Sequence, residues 1–117
     1  MAAPLDVLRG TLDLLILKAL SWGPAHGYAV AEWIERVTAD TLVIEEGSLY
    51  PALHRLEERG LIEAEWGLSG TNRRAKYYEL TSAGRDALKA ESASWARYAR
   101  AVFAALEAPA SVKPARV

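Results

Sequence analysis

Cysteine is absent from all 117 residues, which rules out a disulfide framework, a thiolate metal site and a thiol nucleophile. Charge of one sign is not in excess either. Fourteen Lys and Arg stand against 15 Asp and Glu, for a formal net charge of −1 and a pI of about 6.1, so the chain as a whole carries no electrostatic footprint of a nucleic-acid binder. No apolar run is long enough to cross a bilayer, and the N-terminus lacks the basic segment and cleavable apolar core of a secretory signal. The expectation is a soluble, cytoplasmic protein with no membrane partner. Catalytic constellations are missing too. Ser48 and His54 fall out of register on one helix with no third group to orient them, and Gly67-Leu-Ser-Gly70 precedes no helix, so it cannot cradle a phosphate. His26 has no carboxylate or second His at ligand spacing, so it reads as a helix-start hydrogen bonder and no metal or cofactor is expected.

What is present is apolar material in ordered phase. Half the chain is hydrophobic, 51%, enough for one compact domain. Thr11 can cap a helix in which Leu12, Leu14, Leu15, Ile16, Leu17, Ala19 and Leu20 leave almost no polar face. That helix is buried on two sides, either within the fold or across a dimer seam. Trp22-Gly-Pro24 ends it. A second helical pattern runs from Gly27 to Val37, with Val30, Ala31, Ile34 and Val37 on one stripe. Leu42-Val-Ile44 is too short to divide between strand and irregular structure.

The stretch from Glu46 to Gly60 reads as one short amphipathic helix. Leu49, Leu53 and Leu56 form its inner face, with Ala52 at the edge, and Ser48, Tyr50, Pro51, His54, Arg55 and Glu58 stand opposite. A helix start near Ser48 puts Pro51 in the first turn, where its missing N–H breaks no internal bond, and Gly60 supplies the stop. Beyond Gly60 the period becomes two, with Ile62, Ala64 and Trp66 alternating with Glu63 and Glu65. A loop over Gly67 to Thr71 leads to a returning strand, Lys76 to Leu80, and the cluster Arg73, Arg74 and Lys76 sits where the hairpin turns back. Thr81 caps a last helix to about Leu106. On it Leu88, Trp95 and Val102 recur every seven residues, with Ser92, Ala99 and Leu106 four further on.

Helix, helix, helix, hairpin is winged-helix order. The fold class is therefore mainly α with a two-stranded β wing: a winged helix-turn-helix over residues 1–81, a dimerisation helix over 82–107, and an Ala/Pro-rich disordered tail over 108–117.

Four stretches carry a resemblance. They are Leu8-Arg-Gly-Thr-Leu-Asp-Leu-Leu-Ile-Leu17, Trp22-Gly-Pro-Ala-His-Gly-Tyr28, the whole of Glu46 to Gly60, and Arg74-Ala-Lys-Tyr-Tyr-Glu-Leu-Thr81. In this order they resemble the PadR-like transcriptional regulators, winged-helix repressors, over roughly the first three quarters of the chain; past Gly84 the likeness is only in kind, to the short type with one C-terminal helix. The resemblance implies a homodimer that sets two recognition helices in successive major grooves of double-stranded DNA at an inverted-repeat operator, the wings touching backbone or minor groove.

In that setting Ser48 and Tyr50 hydroxyls suit phosphate oxygens, while His54 or Arg55 can reach base edges, with Pro51 beside them. Which of His54 and Arg55 reads a base stays open. Asn72, Arg73, Arg74 and Lys76 form the wing's DNA contacts. Tyr28, at the second helix's start, is either a phosphate contact or a packing residue. The seam of Leu88, Trp95, Ala99, Val102 and Leu106 is the dimer interface. Trp95 has a second reading as effector-binding residue, because some relatives in that family bind flat aromatic or drug-like molecules there. The rival to a DNA-binding repressor is a winged-helix protein-interaction module, which the acidic pI favours slightly.

Overall fold

In the computed structural model, residues 5–6 and 10–115 are described. Leu8 and Arg9, which open the first family-like stretch, lie outside them, as do Arg116 and Val117 of the tail. The elements are β1 (Leu5–Asp6), α1 (Leu12–Leu20), β2 (Ala25–His26), α2 (Gly27–Val37), β3 (Leu42–Val43), α3 (Glu46–Glu58), β4 (Ile62–Leu68), β5 (Arg74–Leu80) and α4 (Ser82–Leu106).

α1 is the central post. Its Leu12, Ile16, Leu17, Ala19 and Leu20 are buried, and it packs against α2, α3, α4 and β5. Much of its apolar surface is thus covered within the chain, with Leu14 and Leu15 half-buried. Thr11 stands at its N-cap, the Thr11 carbonyl accepting from Leu15 N–H. α2 contributes Val30 and Ile34 to the same core, and Trp33 packs against it. Val37 keeps the helical phase but, as the last residue of α2, outruns the core and is 55% exposed.

α3 begins at Glu46, two residues earlier than the hydroxyl-first reading expects, with Glu45 as N-cap accepting from Ser48 and Leu49 N–H. Pro51 therefore sits in the second turn and withholds an N–H from the Gly47 carbonyl. Gly47 is exposed, so water can take that place, which is why a proline is tolerated inside this helix. Gly60, at φ +73°, stops α3 in a Schellman arrangement: Leu61 N–H reaches the Leu56 carbonyl and Gly60 N–H the Glu57 carbonyl.

The hairpin is longer than its sequence pattern, with Gly67, Leu68, Arg74 and Ala75 all in strands and Ile62 paired with Leu80 through to Leu68 with Arg74. It is also three-stranded. β2 adds antiparallel to β5, Ala25 opposite Tyr78 and His26 opposite Tyr77, in the order β2-β5-β4. β1 and β3 form a separate parallel pair, which decides Leu42-Val43 as strand.

Thr81 ties three elements at one point. Its hydroxyl donates to the Gly60 carbonyl (2.7 Å) and accepts from Gly84 N–H (3.0 Å), capping α4, while its own N–H reaches the Leu61 carbonyl. Thr81→Val keeps the shape and deletes both side-chain bonds, so it is expected to destabilise by about 1–2 kcal/mol, seen as a lower urea midpoint at unchanged slope. An unmoved midpoint would mean that solvent replaces both bonds without cost.

α4 packs at its base through Gly84, Ala87 and Leu88, then runs out from the body. Trp95, Tyr98, Val102, Phe103 and Leu106 are exposed, and Trp95 stacks on Tyr98 with centroids 5.6 Å apart. The tail carries one exposed 3-10 turn, Ala110–Val112.

Candidate nucleic-acid interface

The buried Leu49, Ala52, Leu53 and Leu56 fix α3's inner face, and its remaining residues divide by direction. On one flank, α3 meets the N-terminus of α2 and the hairpin across a groove of roughly 900 Å³. On the other it meets α1, and its C-cap residue Arg59 reaches α4.

The groove flank is aromatic and basic. Tyr50 lies against the first residue of α2, so closely that a Cβ on Gly27 would come within 3.1 Å of its ring; glycine at this site is what lets the two helices meet through a tyrosine. Beside it, His26 caps α2 by accepting Ala29 N–H on Nδ1, the hydrogen-bonding role expected for it, and its ring packs edge-on to Tyr77 and near the 66% exposed Tyr28. Strand pairing sets Trp66 opposite Lys76 and Leu68 opposite Arg74. The Arg74 guanidinium lies 4.6 Å over the Trp66 ring, which explains why Trp66, in phase with the core residues Ile62 and Ala64, is nevertheless 56% exposed: here the sheet overhangs the domain and a cation covers the ring. Lys76 pairs with Glu57 of α3 at 3.4 Å. Burial raises the pKa of the Tyr78 phenol, with Lys76 opposing and Glu57 and Tyr50 reinforcing, so its hydroxyl stays protonated at neutral pH.

At the hairpin tip, Ser69 N–H reaches the Arg73 carbonyl and Asn72 N–H the Ser69 carbonyl, with Asn72 at φ +60°, a region asparagine tolerates. Arg73 and Arg74 are exposed, and among the described residues no carboxylate pairs with either. A chain of net charge −1 therefore presents two unneutralised guanidiniums on the lip of one groove.

The far flank is different. Arg55 Nη2 binds Asp13 Oδ1 of α1 at 3.0 Å, and Arg59 bridges Asp13 (3.9 Å) and Glu91 of α4 (3.7 Å). Arg55, placed by its sequence position on the outward side, is drawn toward α1 instead, because a largely buried carboxylate waits there. His54 does point outward, with its Nε2 2.9 Å from Glu58 Oε1. Tyr28, Tyr50, Arg73, Arg74 and Lys76 thus share the groove, Asn72 stands at the adjoining tip, and Ser48, Pro51, His54 and Arg55 lie outside it. Sequence reasoning overlooked His26 and Trp66 as groove walls and Asp13 as the partner of Arg55. Among the described residues no group of three or more His, Asp or Glu could hold a metal.

This arrangement, an exposed helix face beside an overhanging basic hairpin, has close relatives. The model of the "Transcriptional regulator PadR-like family" matches residues 16–90, well over half the chain. The chain belongs to the PadR-like family. It is 33% identical to a transcriptional regulator from Clostridium thermocellum, with a TM-score of 0.74 over 81% of this chain and 92% of that one. It is 36% identical to a PadR family transcriptional regulator from Eggerthella lenta, with a TM-score of 0.73 over 86% of each. An "Uncharacterized protein X" of Lysinibacillus sphaericus is 34% identical over 91 residues, 78% of this chain and 84% of that protein. PadR-like proteins are DNA-binding transcriptional regulators rather than enzymes, and the winged-helix reading of the fold holds, with one more strand in the hairpin's sheet than the sequence indicated and a separate β1–β3 pair. The family match ends within α4, so the exposed outer part of that helix lies beyond it. No helix among the described residues is long and apolar enough to cross a membrane.

Proposed function

We propose that this PadR-like regulator is a repressor that occupies an inverted-repeat operator as a homodimer. The observation that carries the reading is the pair Arg73 and Arg74, free of carboxylate partners, on the lip of the groove beside α3. In this reading α3 enters the major groove with His54 toward the bases. Ser48, Tyr50 and Tyr28 offer hydroxyls to phosphate oxygens, Pro51 gives apolar contact, and Asn72, Arg73, Arg74 and Lys76 follow the adjoining backbone. Arg55 would reach DNA only by leaving Asp13.

The exposed stripe of α4 supports the dimer. Leu106 is 76% exposed and Trp95 and Val102 are only partly covered within the chain, Ala99 is half-buried, and Leu88 is already packed on the chain's own core, so the seam runs outward from Trp95. Two linked half-sites raise affinity through effective concentration. Gel shift on the gene's own upstream region, with the mass of the free protein measured by light scattering, tests both points. Absence of DNA affinity down to low salt hands the case to the protein-interaction reading, which the facing carboxylates Glu63 and Glu79 on the hairpin's outer side favour.

A small aromatic effector at Trp95 completes the proposal. Its effect must come from different affinity for the DNA-competent and incompetent dimers. Titration of aromatic compounds is expected to quench Trp fluorescence in the wild type and not in Trp95→Leu; identical titrations in the two would sink the effector site.

A further inference from the structure

Along the outward midline of α3, opposite the buried leucines, stand Gly47, Pro51, His54 and Glu58, all exposed. Gly47 and Pro51 carry no side-chain hydrogen-bonding group. Tyr50 lies on the groove flank against Gly27, and Arg55 on the opposite flank is bonded to Asp13. The polar side-chain atoms on the midline therefore belong to His54 and Glu58, which face each other at 2.9 Å. An exposed pair four residues apart on a helix contributes little to folding, so stability alone is a weak reason for a carboxylate on the surface that faces a polyanion.

We propose that Glu58 is a specificity-determining residue that selects a C·G pair in each half-site. This rests on the reading of α3 as the element that enters the major groove. A carboxylate can only accept hydrogen bonds, and in the major groove donors are the N4 amino group of cytosine and the N6 amino group of adenine. Adenine N6 stands between two acceptors, its own N7 and thymine O4, which repel a carboxylate; cytosine N4 has one such neighbour, guanine O6, and the apolar C5–H on its other side. His54, at Glu58 Oε1, leaves Oε2 as the free acceptor and fixes the carboxylate's direction. Over guanine or thymine Glu58 loses water and gains no partner, and over adenine its gain is offset by the flanking acceptors, while phosphate repulsion persists. Glu58 thus weakens non-cognate complexes more than the cognate one, which is how a repulsive group produces discrimination.

The test is selection of binding sites from a randomised duplex pool by the wild type and by Glu58→Ala, followed by affinities for the selected duplex, its single-pair variants and random duplex. A thermal melt of Glu58→Ala checks the fold, which an exposed position leaves intact. The wild type is expected to require a C·G pair at one position of each half-site and to lose about tenfold or more in affinity when it is swapped. Glu58→Ala is expected to accept any pair there and to bind random duplex more tightly than the wild type. If both proteins select the same motif with equal stringency at every position, the assignment of Glu58 is overturned while α3 remains a DNA reader. If the wild type selects no motif at all, the reading of α3 fails, and the assignment with it.

Discussion

Replacing Arg73 and Arg74 together with glutamine is expected to weaken binding to operator and random duplex alike, by a factor of roughly 100 to 1,000 at about 0.1 M salt. Both side chains are exposed at the hairpin turn and have no carboxylate partner among the described residues, so their charge is available to phosphates without first breaking an ion pair. In a homodimer the double substitution removes four cations. Each phosphate contact contributes close to one unit of slope in a plot of log affinity against log salt, so the slope should fall by roughly three to four. The ratio of operator to random binding should hardly move, because phosphates carry no sequence information. Lys76 is a poorer target, since its removal would also strip Glu57 of its partner and leave a carboxylate facing DNA. Loss of stability is not expected to explain the result. Arg74 gives up a stack on Trp66, worth about 0.5–1 kcal/mol at an exposed site, and Arg73 gives up no side-chain ion pair. Selective loss of operator binding with random binding intact would show that the hairpin reads sequence and would contradict this account.

Much of this interface was legible beforehand, and the parts that were not share a cause. The phase of α2, its histidine cap, the stop at Gly60 and the cap at Thr81 are local signals, each complete within a few residues, and the structure bears them out. Periodicity, however, reports the direction of a side chain and not what stands in that direction. Val37 and Trp66 are in phase with their cores yet exposed, because the helix end and the hairpin extend past the elements that cover the rest. Arg55 has the phase of a DNA-facing residue, but its partner Asp13 lies 42 positions away, a separation no helical wheel registers. The two-residue strand Ala25–His26 has no period at all; only its pairing with Tyr77 and Tyr78 defines it. Pro51 shows the same limit in reverse. The hydroxyl of Ser48 looks like a helix start, but backbone bonds to the Glu45 carbonyl begin the helix earlier.

Gly84→Ala is expected to be the glycine substitution most damaging to stability, costing about 3 kcal/mol or more. A Cβ at this position would overlap the Leu61 carbonyl oxygen and crowd Leu80. The oxygen cannot simply retreat, because it accepts Thr81 N–H and its residue is held by the Schellman bonds that end α3. Either α4 shifts as a rigid rod or the Thr81 junction opens, and both loosen the base of α4, where Gly84, Ala87 and Leu88 pack on the domain. The melting temperature should fall by roughly 10 °C or more, compared at equal protein concentration since dimerisation couples to stability. Gly47→Ala is the matched control: its Cβ would meet nothing within 4 Å, so in a helix it should be neutral or stabilising by up to about 1 kcal/mol. The consequence for DNA binding follows from leverage. α4 carries the proposed dimer seam at its far end and Gly84 at its base, so a small change of tilt there changes the separation of the two recognition helices. Gly84→Ala protein that remains folded at low temperature should therefore lose affinity for the paired operator while an isolated half-site duplex is bound as before. Equal losses on both would place the damage in α3 or the hairpin, and an unchanged melting temperature would show that α4 does not rest on the Leu61 backbone.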